Sequence, residues 1–192
     1  MLYSDAMATA GASADLPRLG VVVNPVKVEL KELRRMVAAA EKDHGWAESL
    51  WLETSVDDPG QGVARDAVEA GVTAVLVAGG DGTVRAVSEG LVDSGMPMVL
   101  MPAGTGNLLA RNLGVSVNRM KEAVGTAFTG EDHAIDAGIA EITREGGETE
   151  AHAFVVMIGI GLDAKMIAAT NADLKKRVGW LAYVEAIARI FK

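Results

Sequence analysis

The chain alternates between short apolar runs and longer amphipathic stretches. "RLGVVVNP", Arg18 to Pro25, is a β-branched run stopped by Asn-Pro, which predicts a buried strand and a turn. "ELKELRRMVAAAEKDHG" places Leu30, Leu33, Met36, Val37 and Ala40 at helical spacing, with Gly45 as the stop. "WAESLWLET" predicts a second strand, and "GQGVARDAVEAG" a helix between two glycines. "VTAVLVAGG" is the most strand-like run, followed by a helix over "TVRAVSEGLVDSG". "MPMVLMPAGTGN" reads as another strand entering a glycine turn. "LLARNLGV" then begins a helix, and "SVNRMKEAVGTAFTG" makes a second one.

Strands alternating with helices predict an α/β fold with a doubly wound, mostly parallel sheet. Ligands in such sheets bind outside the carboxyl ends of the strands, where the strand order reverses. Three polar turns stand there: Asn24-Pro25, Gly79 to Thr83, and Gly104 to Asn107. The pattern changes after Gly130. "HAIDAGIAEITREGGETEAHAFVVMIGIG" reads as strand, Gly-Gly turn, strand, which is a hairpin. The remaining stretch, "LDAKMIAATNADLKKRVGWLAYVEAIARIFK", reads as helical. The expected organisation is a disordered leader over 1–17, an α/β domain over 18–130, and part of a β-rich second domain over 131–192. That second segment is too small to bury much core alone, and the chain stops inside an apolar helix at Ile190-Phe191-Lys192. A missing C-terminal portion, or a partner such as a second copy, is the expectation.

Composition narrows the classes. With 49% hydrophobic and 23% charged residues, the chain is globular. Only 4% are aromatic, so aliphatic residues and Met must make the core. The net charge of -8 argues against general nucleic-acid binding. A local basic cluster exists at Lys175, Lys176 and Arg177, beside Trp180 and Tyr183, and could meet an anionic membrane surface. There is no cysteine, hence no disulfide framework or thiolate metal site. The first residues lack the pattern of a signal peptide, and no apolar run reaches the ~20 residues of a membrane span. A cytoplasmic protein, at most peripheral at a membrane, is expected.

The candidate chemistry lies in the glycine turns. In "AGGDGT", glycines permit positive φ and close approach of backbone to ligand. The helix that follows offers free N–H groups to a phosphate. Asp81 adds negative charge, so it suits a cation such as Mg²⁺ or a hydroxyl partner, or it caps a helix. Thr83 could cap the helix or meet a phosphate oxygen. In "PAGTGNLLARNLG", Gly104 and Gly106 flank Thr105, and Asn107 starts a helix. Two such turns on one rim suggest a nucleotide held between them. Arg111 is expected as an ion-pairing surface residue, and Asp136 as a structural hydrogen-bonding acid. Asp163 is either a cleft residue or a helix cap. His44, His133 and His152 are scattered and suggest no metal site. Neither the dinucleotide fingerprint after the first strand nor a Walker A motif is present.

Taken in order, "VVVNP", "GGDGTVRAV", "PAGTGNLLARNLG", "GIGLDA" and "KKRVGWLAY" resemble the diacylglycerol kinase catalytic-domain family. "GGDGT" alone is shared with NAD kinases, whereas its combination with the second turn is specific. The resemblance implies an α/β domain followed by a β-rich one, with the site between them. It implies transfer of the γ-phosphate of ATP, with Mg²⁺, to a lipid hydroxyl such as that of diacylglycerol. Nucleotide contacts carry over to Asn24, Thr54, Gly79, Gly80, Asp81, Gly82, Thr83, Val84, Arg85, Gly104, Thr105, Gly106 and Asn107, with Asp81 as the catalytic acid. No metal ligand is assigned. This chain reads "NPVKV" where the family often has Asn-Pro, one residue, then Ser-Gly, which removes a small flexible pair. Family members are longer, and their general base and Mg²⁺-linked acids lie beyond the counterpart of Lys192. This chain alone is therefore expected to bind nucleotide more readily than it turns over. An NAD kinase-like enzyme and a non-catalytic nucleotide-binding module are the alternatives.

Overall fold

The computed structural model describes residues 16–117 and 119–159. Two motifs of the resemblance, "GIGLDA" from Ile160 on and "KKRVGWLAY", lie outside these residues. So do Asp163, the C-terminal helical stretch and the leader up to residue 15. The element order is β1 (Arg18–Val23), α1 (Leu30–His44), β2 (Ala47–Glu53), α2 (Gln61–Glu69), β3 (Ala74–Gly79), α3 (Asp81–Leu91), β4 (Met98–Pro102), α4 (Leu108–Asn112), α5 (Met120–Thr129), β5 (Gly138–Thr143) and β6 (Thr149–Phe154).

The first four strands form one parallel sheet in the order β2-β1-β3-β4, as the alternation predicts. Helices cover both faces, which is why the two central strands read as unbroken apolar runs. Within β1 and β3, side chains alternate between the two faces. Leu19, Val21, Val23, Leu76 and Ala78 pack with Leu33 and Val37 of α1 and with Val124 of α5. Val22, Val75 and Val77 pack on the other face with Ala64 and Ala67 of α2 and with Val84 and Val87 of α3. Each fully buried Val or Leu contributes about 1.5–3 kcal/mol through the area removed from water.

Helix ends follow local chemistry. Gly45 closes α1 in the left-handed region at φ 69°, as its position after the last apolar residue predicts. The start of α2 is held by Asp58, whose carboxylate accepts from the N–H groups of Gly60, Gly62 and Val63. Burial opposes the charge on Asp58, but these three N–H groups and the nearby Arg65 together hold its pKa below the ordinary carboxylate range.

Three expectations are corrected at this level. The second helix of "SVNRMKEAVGTAFTG" begins only at Met120. The hairpin forms, antiparallel, but its first strand starts at Gly138, and residues 131–137 carry no regular structure. Asp136 is exposed within that stretch, so burial gives it no structural task. Among the described residues no helix is long and apolar enough to cross a membrane.

Strand order places the reversal between β1 and β3. From β1 the chain moves outward to β2, and from β3 it moves outward to β4. Register aligns Val23 with Glu53 and Ala78, and Gly79 with Pro102. The next residues in register, Thr54, Asn24, Gly79 and Pro102, therefore form a row along the carboxyl edge, and Gly80 and Ala103 lie one residue beyond it.

Helices α2 and α3 cross where Gly90 sits: a Cβ there would lie 2.5 Å from the Gln61 carbonyl oxygen and 2.8 Å from Ala64 Cβ. Gly90→Ala gains helix propensity but forces two backbones apart, so a net loss of about 1–3 kcal/mol in urea unfolding is expected.

Candidate functional site

The two glycine turns meet at the carboxyl edge. Gly80 and Gly104 face each other so closely that a Cβ on Gly104 would lie 2.8 Å from the Gly80 Cα. A Cβ on Gly106 would lie 2.6 Å from Asp81 Oδ2, and one on Gly79 2.6 Å from Thr83 Cβ. None of these rim glycines, nor Gly82, has positive φ. The expectation of left-handed turns is thus corrected. Glycine is needed here because backbone and side-chain atoms of the rim itself fill the space a Cβ would take.

Asp81 joins the turns. Its Oδ2 accepts from the N–H of Asn107 at 2.9 Å and its Oδ1 from the N–H of Leu108 at 2.6 Å. The acid thus caps a helix, but it caps α4 across the cleft rather than its own helix α3. Each oxygen keeps further acceptor capacity. Asn107 occupies the N-cap position of α4 without capping it, at φ 49° and ψ 49°. Its buried side chain turns back instead: Oδ1 accepts from the Gly104 N–H at 2.9 Å and Nδ2 donates to the Gly104 carbonyl at 2.7 Å. Arg111 is not ion-paired among the described residues; its Nε donates to the Gly106 carbonyl at 2.8 Å and braces the same turn.

The two turns are consequently unequal. In the second, the amides of Gly104, Asn107 and Leu108 are occupied by Asn107 and Asp81. In the first, α3 starts at Gly80 with no side-chain cap. The first-turn N–H groups of α3 have no acceptor among the described residues, and they carry the positive end of the helix dipole. Gly82 is exposed there, with nothing within 4 Å of a Cβ position. Of the two turns expected to hold a nucleotide between them, the first is an open helix end and the second is already filled by a carboxylate.

Other singled-out residues divide by position. Thr83 is buried and caps nothing; Asn24 Nδ2 approaches its Oγ1 at 3.4 Å, at the reversal of strand order. Thr54 is buried at the end of β2, its N–H bonded to the Val23 carbonyl at 2.9 Å. Val84 points its side chain into the core. Thr105 is exposed on the second turn. Arg85 leans along α3 to Glu89, 2.9 Å away. In "NPVKV", Asn24 Oδ1 accepts from the Val26 N–H at 3.1 Å, Val26 is exposed and Val28 is buried. The Val-Lys-Val run therefore serves the core at one position only. Among the described residues no three His, Cys, Asp or Glu side chains come together to hold a metal ion.

Glu89 was not among the expected residues, although Arg85 and Glu89 at i and i+4 were a visible pair. Its Oε2 accepts from Gln61 Nε2 at 2.8 Å as well as from Arg85. Its Oε1 accepts from the Ala153 N–H at 3.3 Å. Burial works against the charge, but the hydrogen bonds from Gln61, Ala153 and Arg85 hold its pKa below the usual range.

The family model "Diacylglycerol kinase catalytic domain" matches residues 18–140. The chain belongs to that family. A solved structure described as "a putative diacylglycerol kinase from Bacillus anthracis str. Sterne" aligns with a TM-score of 0.52 at 20% identity, over 79% of this chain and 52% of that one, and shares the fold. A diacylglycerol kinase structure from the same organism aligns with a TM-score of 0.46 at 25% identity, over 58% of this chain and 43% of that one. The chain thus spans about half the length of the first of these proteins, by the 52% covered. No curated relative matches it.

Asp81→Ala removes both ties between the turns, and a loss of about 1–3 kcal/mol is expected in chemical denaturation. For Glu89 the folded pKa is depressed. Its contribution is complete above the unfolded carboxylate range and disappears as pH falls through the folded pKa. Glu89→Gln should cost about 1–2 kcal/mol at pH 7, and the gap to wild type should narrow in paired unfolding curves as pH falls below the ordinary carboxylate range.

Proposed function

We propose that this chain is the nucleotide-binding part of an ATP-dependent lipid kinase that transfers the γ-phosphate to a lipid hydroxyl such as that of diacylglycerol. The observation that carries the reading is the uncapped start of α3 at the reversal point of the sheet, bounded by Gly79, Gly80 and Gly82. An anionic phosphate there gains the dipole and the free N–H groups, and no side chain has to be displaced. Asn24, Thr83 and Thr54 stand along the same edge, and Thr105 faces outward from the second turn. Membership of the diacylglycerol kinase catalytic-domain family supports phosphoryl transfer to a lipid.

In this reading the chain binds and orients. The amides of α3 hold phosphate oxygens, and Asp81 keeps the second turn closed against the first. Mg²⁺ would neutralise phosphate charge during transfer. Asp81, which ties the two turns together, accepts a backbone amide on each oxygen. Among the described residues no three His, Cys, Asp or Glu side chains cluster to hold a metal ion, so no Mg²⁺ ligand set is assigned there. Contact with a membrane surface through Lys175, Lys176 and Arg177 belongs to the same proposal; those residues lie outside the described part.

Gly82→Glu places a carboxylate at the open helix end without a steric clash. The variant should keep the wild-type melting temperature within a few degrees and lose the ATP-induced rise. That rise reports binding to the native state alone. Lipid and NAD offered together as acceptors to the full-length enzyme should yield labelled lipid only. Labelled NAD would select the NAD kinase reading, and ATP binding with no labelled product would select a non-catalytic module. A wild type whose melting temperature ignores ATP would falsify the nucleotide reading.

A further inference from the structure

Hairpin β5–β6 has few means of holding its place. A two-stranded hairpin is marginal by itself in water. Ile139 and Ile142 are 54% and 43% exposed, so of its large apolar side chains the hairpin covers in part Phe154 alone, which lies over Gly138. Its buried residue is Ala153, and Val155 and Val156 just beyond β6 pack on the face that carries α2 and α3. Among the described residues, the polar ties from the hairpin to the α/β layer all end on Glu89. The Ala153 N–H donates to Oε1, and His152 Nδ1 lies 3.5 Å from the same oxygen. His152 Nε2 in turn lies 3.5 Å from Glu150, which is paired with Arg144 at 2.8 Å.

The two oxygens of Glu89 divide their work. Oε2 serves Gln61 on α2 and Arg85 on α3, whereas Oε1 serves the hairpin. A carboxylate this little exposed, 15% for its side chain, is costly unless its acceptor sites are filled. Glu89 also lies on the helix whose first turn holds the open N–H groups, and a packed helix transmits displacement along its length.

We propose that Glu89 is a positioning residue that docks the hairpin on α3 and couples this docking to ligand binding at the start of α3. The coupling rests on the nucleotide reading given above; the docking does not. Coupling of this kind is reciprocal: whatever tightens the hairpin when nucleotide binds must tighten nucleotide by the same factor when the hairpin docks.

The test is amide hydrogen exchange over residues 149–156 of the full chain, with and without ATP and Mg²⁺, in wild type, Glu89→Gln and Glu89→Ala. ATP binding is followed separately by calorimetry. In wild type, ATP should slow exchange of this segment several-fold. Without ATP, Glu89→Ala should exchange about tenfold faster, as expected for loss of roughly one charge-assisted hydrogen bond. In that variant ATP should still bind, more weakly by the factor through which it slowed exchange in wild type, and should no longer slow it. Glu89→Gln, which keeps an acceptor for the Ala153 N–H, should fall between. His152→Ala leaves every helix-side partner of Glu89 intact and should speed exchange by a smaller factor, which keeps the docking testable if Glu89→Ala does not fold. Equal exchange in wild type and both Glu89 variants overturns the docking. ATP that binds without changing exchange overturns the coupling and leaves the nucleotide reading standing. A wild type that does not bind ATP overturns the nucleotide reading and the coupling together.

Discussion

One carboxylate decides what the rim can do. Asp81 accepts backbone N–H groups of Asn107 and Leu108 and so occupies the positive end of α4. Its own helix starts at Gly80, which has no side chain to cap it, and Asp81 does not turn back to do so. Two loops of similar composition thereby become opposites, one filled by a protein acid and one open to an external anion. The close packing of Gly80 against Gly104, and of Gly106 beneath the carboxylate, is the steric condition for that bridge. Any side chain at Gly104 or Gly106 would push the turns apart and break the cap.

The parallel sheet supplies the frame. Burial on both faces leaves β1 and β3 no polar position except at their ends, where Asn24 and the Gly79-Gly80 pair emerge. The reversal of strand order between these two strands opens the crevice that the polar ends line. Helix α3 then has two functions along one length. Its first turn faces the crevice, and two turns later Glu89 reaches the hairpin. The interactions at both ends are electrostatic, because Gly90 and the valines of α3 are committed to packing against α2 and the sheet.

Much of this was legible along the chain. Periodicity located the strands and helices of the α/β layer, because a doubly covered parallel sheet demands apolar strands and amphipathic helices in alternation. The turn residues pointed to the rim, because glycine, an acid and a hydroxyl at a strand-to-helix junction satisfy no packing need. What each of them does was not legible. "GGDGT" suggested glycines free to take positive φ, a cation partner, a hydroxyl partner or a local helix cap for Asp81, and a cap or a phosphate contact for Thr83. The glycines instead answer a steric demand from a turn two dozen residues further on, and the acid answers backbone amides there. Arg111 and Asn107 turn backward onto the second turn for the same reason, since that turn is held by its own side chains.

The sequence by itself determined the alternation of elements, the placement of polar turns at strand ends, the hairpin after Gly130 and the family to which the ordered motifs belong. The elements, turns and hairpin follow from local rules, in which burial and backbone geometry act on neighbouring residues; the family follows from the resemblance of the motifs in their order. The tertiary structure alone decided the strand order, the choice of the open helix end and the role of Glu89. Each depends on which distant groups become neighbours: Asp81 with Leu108, Gly80 with Gly104, Glu89 with Gln61 and Ala153. A carboxylate in a sequence shows its charge, but only the fold shows which N–H groups are near enough to claim it.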